Sequence, residues 1–187
     1  MISIDMSQIP PEKLDHTNLR SLKNQMQSAL SQKLWITAFC VHEAGHMIYL
    51  RQLGVTEFEF NGPRIAYNKE NDTFDGYMAS VRPKTAASPN GRDIQEFLRT
   101  AAKAHVAGRT FTKTLTNAPD AGEQQDRQNF DALCSQIEKS LPTGATIDRQ
   151  KSWEQAETEV STDLRSPQFR TLAWEAAREI ERKVFGS

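Results

Sequence analysis

Apolar residues recur along this chain mostly at three- and four-residue intervals, which is the signature of helices that pack by one face. From Thr17 to about Leu50 the pattern is helical, with a break near Ser28–Ser31. In its second half Leu34, Ala38, Val41, Gly45 and Ile48 form one stripe, and Gly54 follows as a C-cap. The period then changes. Phe58, Phe60, Ile65 and Tyr67 alternate with polar residues, and after the turn-like NKEND the stretch FDGYMASV does the same. The two read as a pair of antiparallel strands. Residues 83–92, with two prolines and a glycine, read as a loop. Helix returns at about Arg92–Leu115 on a stripe of Ile94, Phe97, Leu98, Ala101, Ala102, Val106 and Phe111. After the break NAPDAG comes Glu123–Ser140, with Phe130, Leu133, Cys134 and Ile137 inward. A polar helix follows the loop LPTGAT. Pro167 separates it from a terminal helix striped by Leu172, Ala173, Ala176, Ala177, Ile180 and Val184. Residues 1–16, polar and with Pro10 and Pro11, read as a flexible arm ahead of one domain spanning 17–187.

Composition narrows the function classes. The formal net charge is −1 and the basic residues are scattered, which argues against a nucleic-acid partner. No run approaches the roughly 18 apolar residues of a membrane span, and the first residues lack a signal-peptide core. A cytoplasmic protein without a membrane span is expected. Cys40 and Cys134 lie far apart without C-x-x-C spacing, so neither a disulfide framework nor a thiolate metal site follows. Cys40 reads as a small core residue.

The chemistry concentrates in VHEAGH, residues 41–46. On a helix His42 and His46 stand one turn apart on one face, so two imidazole nitrogens can converge on one metal. Glu43 is rotated about 100° from His42, which places its carboxylate beside the metal as a general base. The metal of this H-E-x-x-H pattern is zinc, Zn2+, which lowers the pKa of a water towards about 7. Ala44 and Gly45 are small enough to let another element come close. A catalytic zinc takes three protein ligands, and the segment MIYLRQLG after His46 offers none. His105, Asp120, Glu123, Asp126 and Asp131 are the candidates for the third, with His105 reading more simply as a helical histidine without a metal role.

HEAGH, with Ala and Gly at its centre, resembles the protease domain of the FtsH-type ATP-dependent zinc metalloproteases. FDGYMASVRP is similar to that family's strand beside the active site. AHVAGRTFTKTL is similar to its small-residue helix with a Gly-Arg pair, and GEQQDRQNFDAL to the helix opening that carries an aspartate after Gly-x-x-x. The pieces occur in the family's order over roughly residues 35 to 140. The resemblance implies that Asp126, four residues after Gly122, is the third ligand. It also implies that the strand holding Gly76, Tyr77 and Met78 binds the substrate backbone. The chain departs from the family in having no G-x-x-x-x-G-K-[ST] loop, so it does not hydrolyse ATP by that mechanism. The threonine-rich lead into the aspartate is replaced by NAPDAGEQQ.

The expected fold is mainly α, of α+β type: a helical zincin-like peptidase domain with one small antiparallel sheet. The expected activity is zinc-dependent hydrolysis of flexible or unfolded polypeptides, which an extended strand edge would capture by main-chain pairing. A homo-oligomer or a separate ATPase partner is left open. The competing reading is a non-catalytic adaptor that keeps the fold and the metal. A hydrolase acting on something other than peptides is a third.

Overall fold

A computed structural model describes residues 2–4, 9–13, 17–77, 79–89, 91, 93–116, 118, 123–142 and 146–186. The chain is mainly helical, with six α-helices among these residues: α1 (Thr17–Leu30), α2 (Lys33–Gln52), α3 (Ile94–Leu115), α4 (Glu123–Glu138), α5 (Arg149–Asp163) and α6 (Pro167–Phe185). The break expected near Ser28–Ser31 separates α1 from α2. Each boundary has a local cause. Asp93 caps α3 by accepting from the Glu96 N–H, and Asp148 caps α5 from Lys151. Ser166 caps α6, where Pro167 takes the first helical position and so cannot leave an N–H unpaired. The α2 terminus closes in a Schellman pattern: the Val55 N–H reaches the Leu50 carbonyl and the Gly54 N–H that of Arg51. Gly54 takes the left-handed φ of 85° that this ending requires.

α2 and α3 form the central pair. α6 covers α2, while α4 and α5 cover α3. Burial rises along α2, from an exposed Leu34 (54%) through half-buried turns to Cys40, Val41, Ala44, Gly45, Met47, Ile48 and Tyr49. Leu34 was expected in the apolar stripe and is the exception, because the first turn precedes the part of the helix that the core encloses. The middle of α2 is buried on more than one face, as befits a helix inside the bundle. Tyr49, Phe111 and Phe169 interlock beneath it with ring centroids 5.9–6.4 Å apart.

The expected single antiparallel sheet is corrected to two small ones. β2 (Phe58–Asn61) and β5 (Ser80–Pro83) pair antiparallel in one. In the other, β3 (Arg64–Asn68) pairs antiparallel with β4 (Thr73–Tyr77) and parallel with β1 (Ser3–Ile4). The third strand comes from the expected arm: Ile2 and Ile4 join Leu19, Met26 and Ile65 in a satellite cluster, so their apolar side chains repay ordering of the segment. FDGYMASV is not one strand. It ends β4 in one sheet and begins β5 in the other, and both are terminal strands among the described residues. No helix of the described residues is long and apolar enough to cross a membrane.

Candidate metal centre

His42 and His46 project from α2 with their Nε2 atoms 3.0 Å apart and their ring planes at 76°. Asp126, in the first turn of α4, brings Oδ2 to 3.5 Å from each of those nitrogens. These atoms form the one group of three or more His, Cys, Asp or Glu ligand atoms within metal-holding distance among the described residues. Zn–N and Zn–O bonds of about 2.0–2.2 Å set tetrahedral ligand atoms about 3.3–3.6 Å apart. The observed triangle of 3.0, 3.5 and 3.5 Å is close to that face.

Two further observations fit a cation to the triangle. Asp126 Oδ2 is buried and has no hydrogen-bond partner, a situation that costs about 1–3 kcal/mol unless something positive sits against the oxygen. The Nδ1–H of His46 donates to the Ala104 carbonyl at 2.6 Å, since a carbonyl only accepts. That bond fixes the ring and turns Nε2 towards the triangle, the usual support of a metal-binding histidine. Once Nε2 of His46 has given up its proton, three lone-pair atoms face one point.

The close approach of α3 makes the geometry. A Cβ on Gly45 would stand 2.7 Å from the Ala107 carbonyl oxygen, and one on Gly108 would stand 2.5–2.6 Å from Nε2 of His46 and ring atoms of His42. Both positions therefore demand glycine. The small residue expected at Gly45 does admit another helix, as its place in the motif suggested.

Burial and mutual repulsion push the His42 imidazolium down to about 4, against the pull of Asp126. Burial also disfavours charge on His46. The Asp126 carboxylate, with Glu43 and the Ala104 carbonyl, overcomes this and raises its pKa to about 9. One proton is thus held at His46, where the negative charge lies. Glu43 is half-buried and has no hydrogen-bond partner among the described residues. Burial, reinforced by Asp126 and opposed by His46, lifts its carboxyl to about 7.

Of the other candidates, His105 is half-buried with its ring 6.0 Å from Phe130, and burial lowers its pKa to about 4. It stands outside the ligand triangle. Asp131 lies 3.6 Å from Arg127, one turn away on its own helix. Asp120, Gly122 and Met78, with the side chains of Tyr77 and Glu123, fall outside what is described. Gly76 lies against Met26 and Leu22 of α1, where a Cβ would meet them at 2.9 and 3.1 Å. That contact joins it to the satellite cluster. Ala79 and Val81, just beyond, pack on the main core that holds α2. Cys40 is buried, and its thiol is pushed up to about 12 by that burial, so it is inert.

Two contributors had weak sequence signals. Ala101, Ala104 and Gly108 repeat small residues along one face of α3, which marks a close crossing but not its partner. The Ala104 carbonyl, as a backbone atom, has no side-chain signal. No family model, no characterised protein and no solved structure matches the chain.

Proposed function

We propose that this chain is a zinc-dependent metallopeptidase of the FtsH type. The observation that carries the reading is the convergence of His42, His46 and Asp126 on one point, with Glu43 next to His42 in the same helix. Two imidazoles and a carboxylate are a donor set that catalytic zinc uses with one position kept open, whereas structural zinc takes four protein ligands. Only three converge here among the described residues.

When bound, zinc would polarise the scissile carbonyl and bring the pKa of a water to about 7. His42, His46 and Asp126 would hold the ion, and the Ala104 carbonyl keeps the His46 ring in its orientation. Glu43 accepts the proton of the attacking water and passes it to the leaving amine, a role suited to a carboxyl whose burial raises its proton affinity. The substrate reading is flexible or unfolded chain. β4 and β5 each leave one edge without a strand partner among the described residues, and an extended peptide can pair there.

The test combines metal analysis with hydrolysis of casein-like unstructured chains. Wild type is expected to hold about one zinc and to cleave. Glu43→Gln is expected to keep the zinc and lose turnover by about 10²–10⁴-fold, because the amide accepts no proton. Zinc without any cleavage by wild type would favour the adaptor reading.

A further inference from the structure

The three side chains of the triangle are not fixed in the same way. His42 and His46 lie one turn apart on α2, so the helix itself sets the distance between them. The Ala104 carbonyl then holds the His46 ring. Asp126 arrives from a different helix, and its Oδ2 has no hydrogen-bond partner among the described residues. Its equal approach of 3.5 Å to both Nε2 atoms therefore depends on where the first turn of α4 sits.

That turn is gripped from α5. Arg127, the next residue along, sets its guanidinium Cζ 4.9 Å from the centre of the Trp153 ring and donates to Gln150 at 3.1 Å. Phe130, one turn after Asp126, meets the same Trp153 ring at 5.7 Å and the His105 ring of α3 at 6.0 Å. Trp153 is only 4% exposed, so it is a fixed surface for both contacts. Phe130 sets how deep α4 lies between α3 and α5. Arg127, about 100° round the helix from Asp126, opposes rotation of the turn about its own axis.

On charge alone, Arg127 is a poor neighbour for a metal ion. A guanidinium repels a cation, so Coulomb's law predicts tighter metal binding once it is gone. A positioning role predicts weaker binding. The two have opposite signs.

We propose that Arg127, held on the face of Trp153, is a positioning residue for the third metal ligand, Asp126. The inference rests on the metal centre of the proposed peptidase and adds what keeps its one ligand from outside α2 in place.

The experiment measures zinc affinity of the full-length protein by chelator competition, well below the Tm of the metal-free form. Arg127→Gln removes the cation from the Trp153 ring and is expected to weaken zinc binding about 10- to 100-fold, as loss of a ligand's support does. Arg127→Lys keeps a cation for the ring and is expected to recover most of that affinity. Asp131→Asn removes the ion pair that Arg127 makes at 3.6 Å but leaves the ring contact, and is expected to bind zinc like wild type. Unchanged or tighter binding by Arg127→Gln would overturn the inference, even with a lower Tm, since Arg127 would then serve the fold alone. An equal loss in Asp131→Asn would overturn it too, by assigning the effect to the ion pair. In both cases zinc binding by wild type leaves the metal centre standing. Wild type without zinc would refute the centre itself, and the inference with it.

Discussion

One turn of α2 separates two polar clusters, with His46 in the first and Tyr49 in the second. In the second, the buried Tyr49 hydroxyl donates to Asp163 at 2.7 Å, and Lys103 reaches Asp163 at 3.3 Å and Glu159 at 3.1 Å. Arg99 adds bonds of 2.8 Å to both oxygens of Glu159, and Gln155 donates to the same carboxylate at 2.9 Å. Two cations meet two anions. Burial would raise the Glu159 carboxyl, but these donors bring it down to about 2. In the first cluster, by contrast, two imidazoles and a carboxylate hold one proton beyond those of the neutral rings, and Asp126 Oδ2, 3.5 Å from both Nε2 atoms, makes no hydrogen bond. The contrast separates polar groups that complete one another from polar groups arranged around something else. The Tyr49 cluster ties α2, α3 and α5 together, while the His46 cluster is a group that could hold a metal ion.

Mutations should divide along that line. His42→Ala or His46→Ala is expected to remove stoichiometric zinc, at a cost of several kcal/mol in metal affinity, because each ligand also fixes the others. Zinc content by plasma emission after dialysis checks this, and a variant still holding one equivalent would erase the distinction between the clusters. Gly108→Ala probes the crossing itself. Its methyl would need space now held by both imidazoles, so overpacking of about 1–3 kcal/mol should appear as a lower Tm together with weakened zinc binding. Wild-type values for both would show that α3 does not set the triangle.

Titration sharpens the same comparison. The His42 contribution to metal-free stability is present above its unfolded pKa of about 6.5 and is lost as pH falls towards about 4. That of His46 is present below about 6.5 and is lost as pH rises through about 9. The pair therefore carries one proton across this window, and zinc must displace it. At pH 8, calorimetric titration with zinc in two buffers of different ionisation heat should count about one proton released. No release would contradict the assignment of the charge to His46. The smallest effect belongs to the other cluster. Tyr49→Phe leaves Asp163 bonded to Lys103, so about 1 kcal/mol of folding stability is expected to go, with zinc affinity untouched. A denaturant titration reads the first and a chelator competition the second.

Much of this was legible because it is local. The break before α2, the cap at Gly54 and the paired histidines all depend on residues within one or two turns. The sheets were legible only as strands, since alternation tells which face is buried but not which strand lies alongside. Hence β1 went unforeseen in the arm, and FDGYMASV was read as one strand when its ends join different sheets. Asp126 is a clearer case. Its separation from His46 in sequence follows no periodic rule, and spacing left it among five candidates. Only the resemblance pointed to it, and the structure brings its carboxylate to the two imidazoles. The fourth partner in that geometry, the Ala104 carbonyl, has no signature at all. The Tyr49 cluster was invisible for the same reason: its four charged members lie 50 to 114 residues further along the chain and meet only through packing.

The most direct test of the metal centre is anomalous diffraction at the zinc edge from crystals of the zinc-loaded protein. The account predicts a single strong peak at about 2.0–2.2 Å from Nε2 of His42, Nε2 of His46 and the Asp126 carboxylate. A peak ligated by other residues, or one that leaves Asp126 beyond bonding distance, would contradict it.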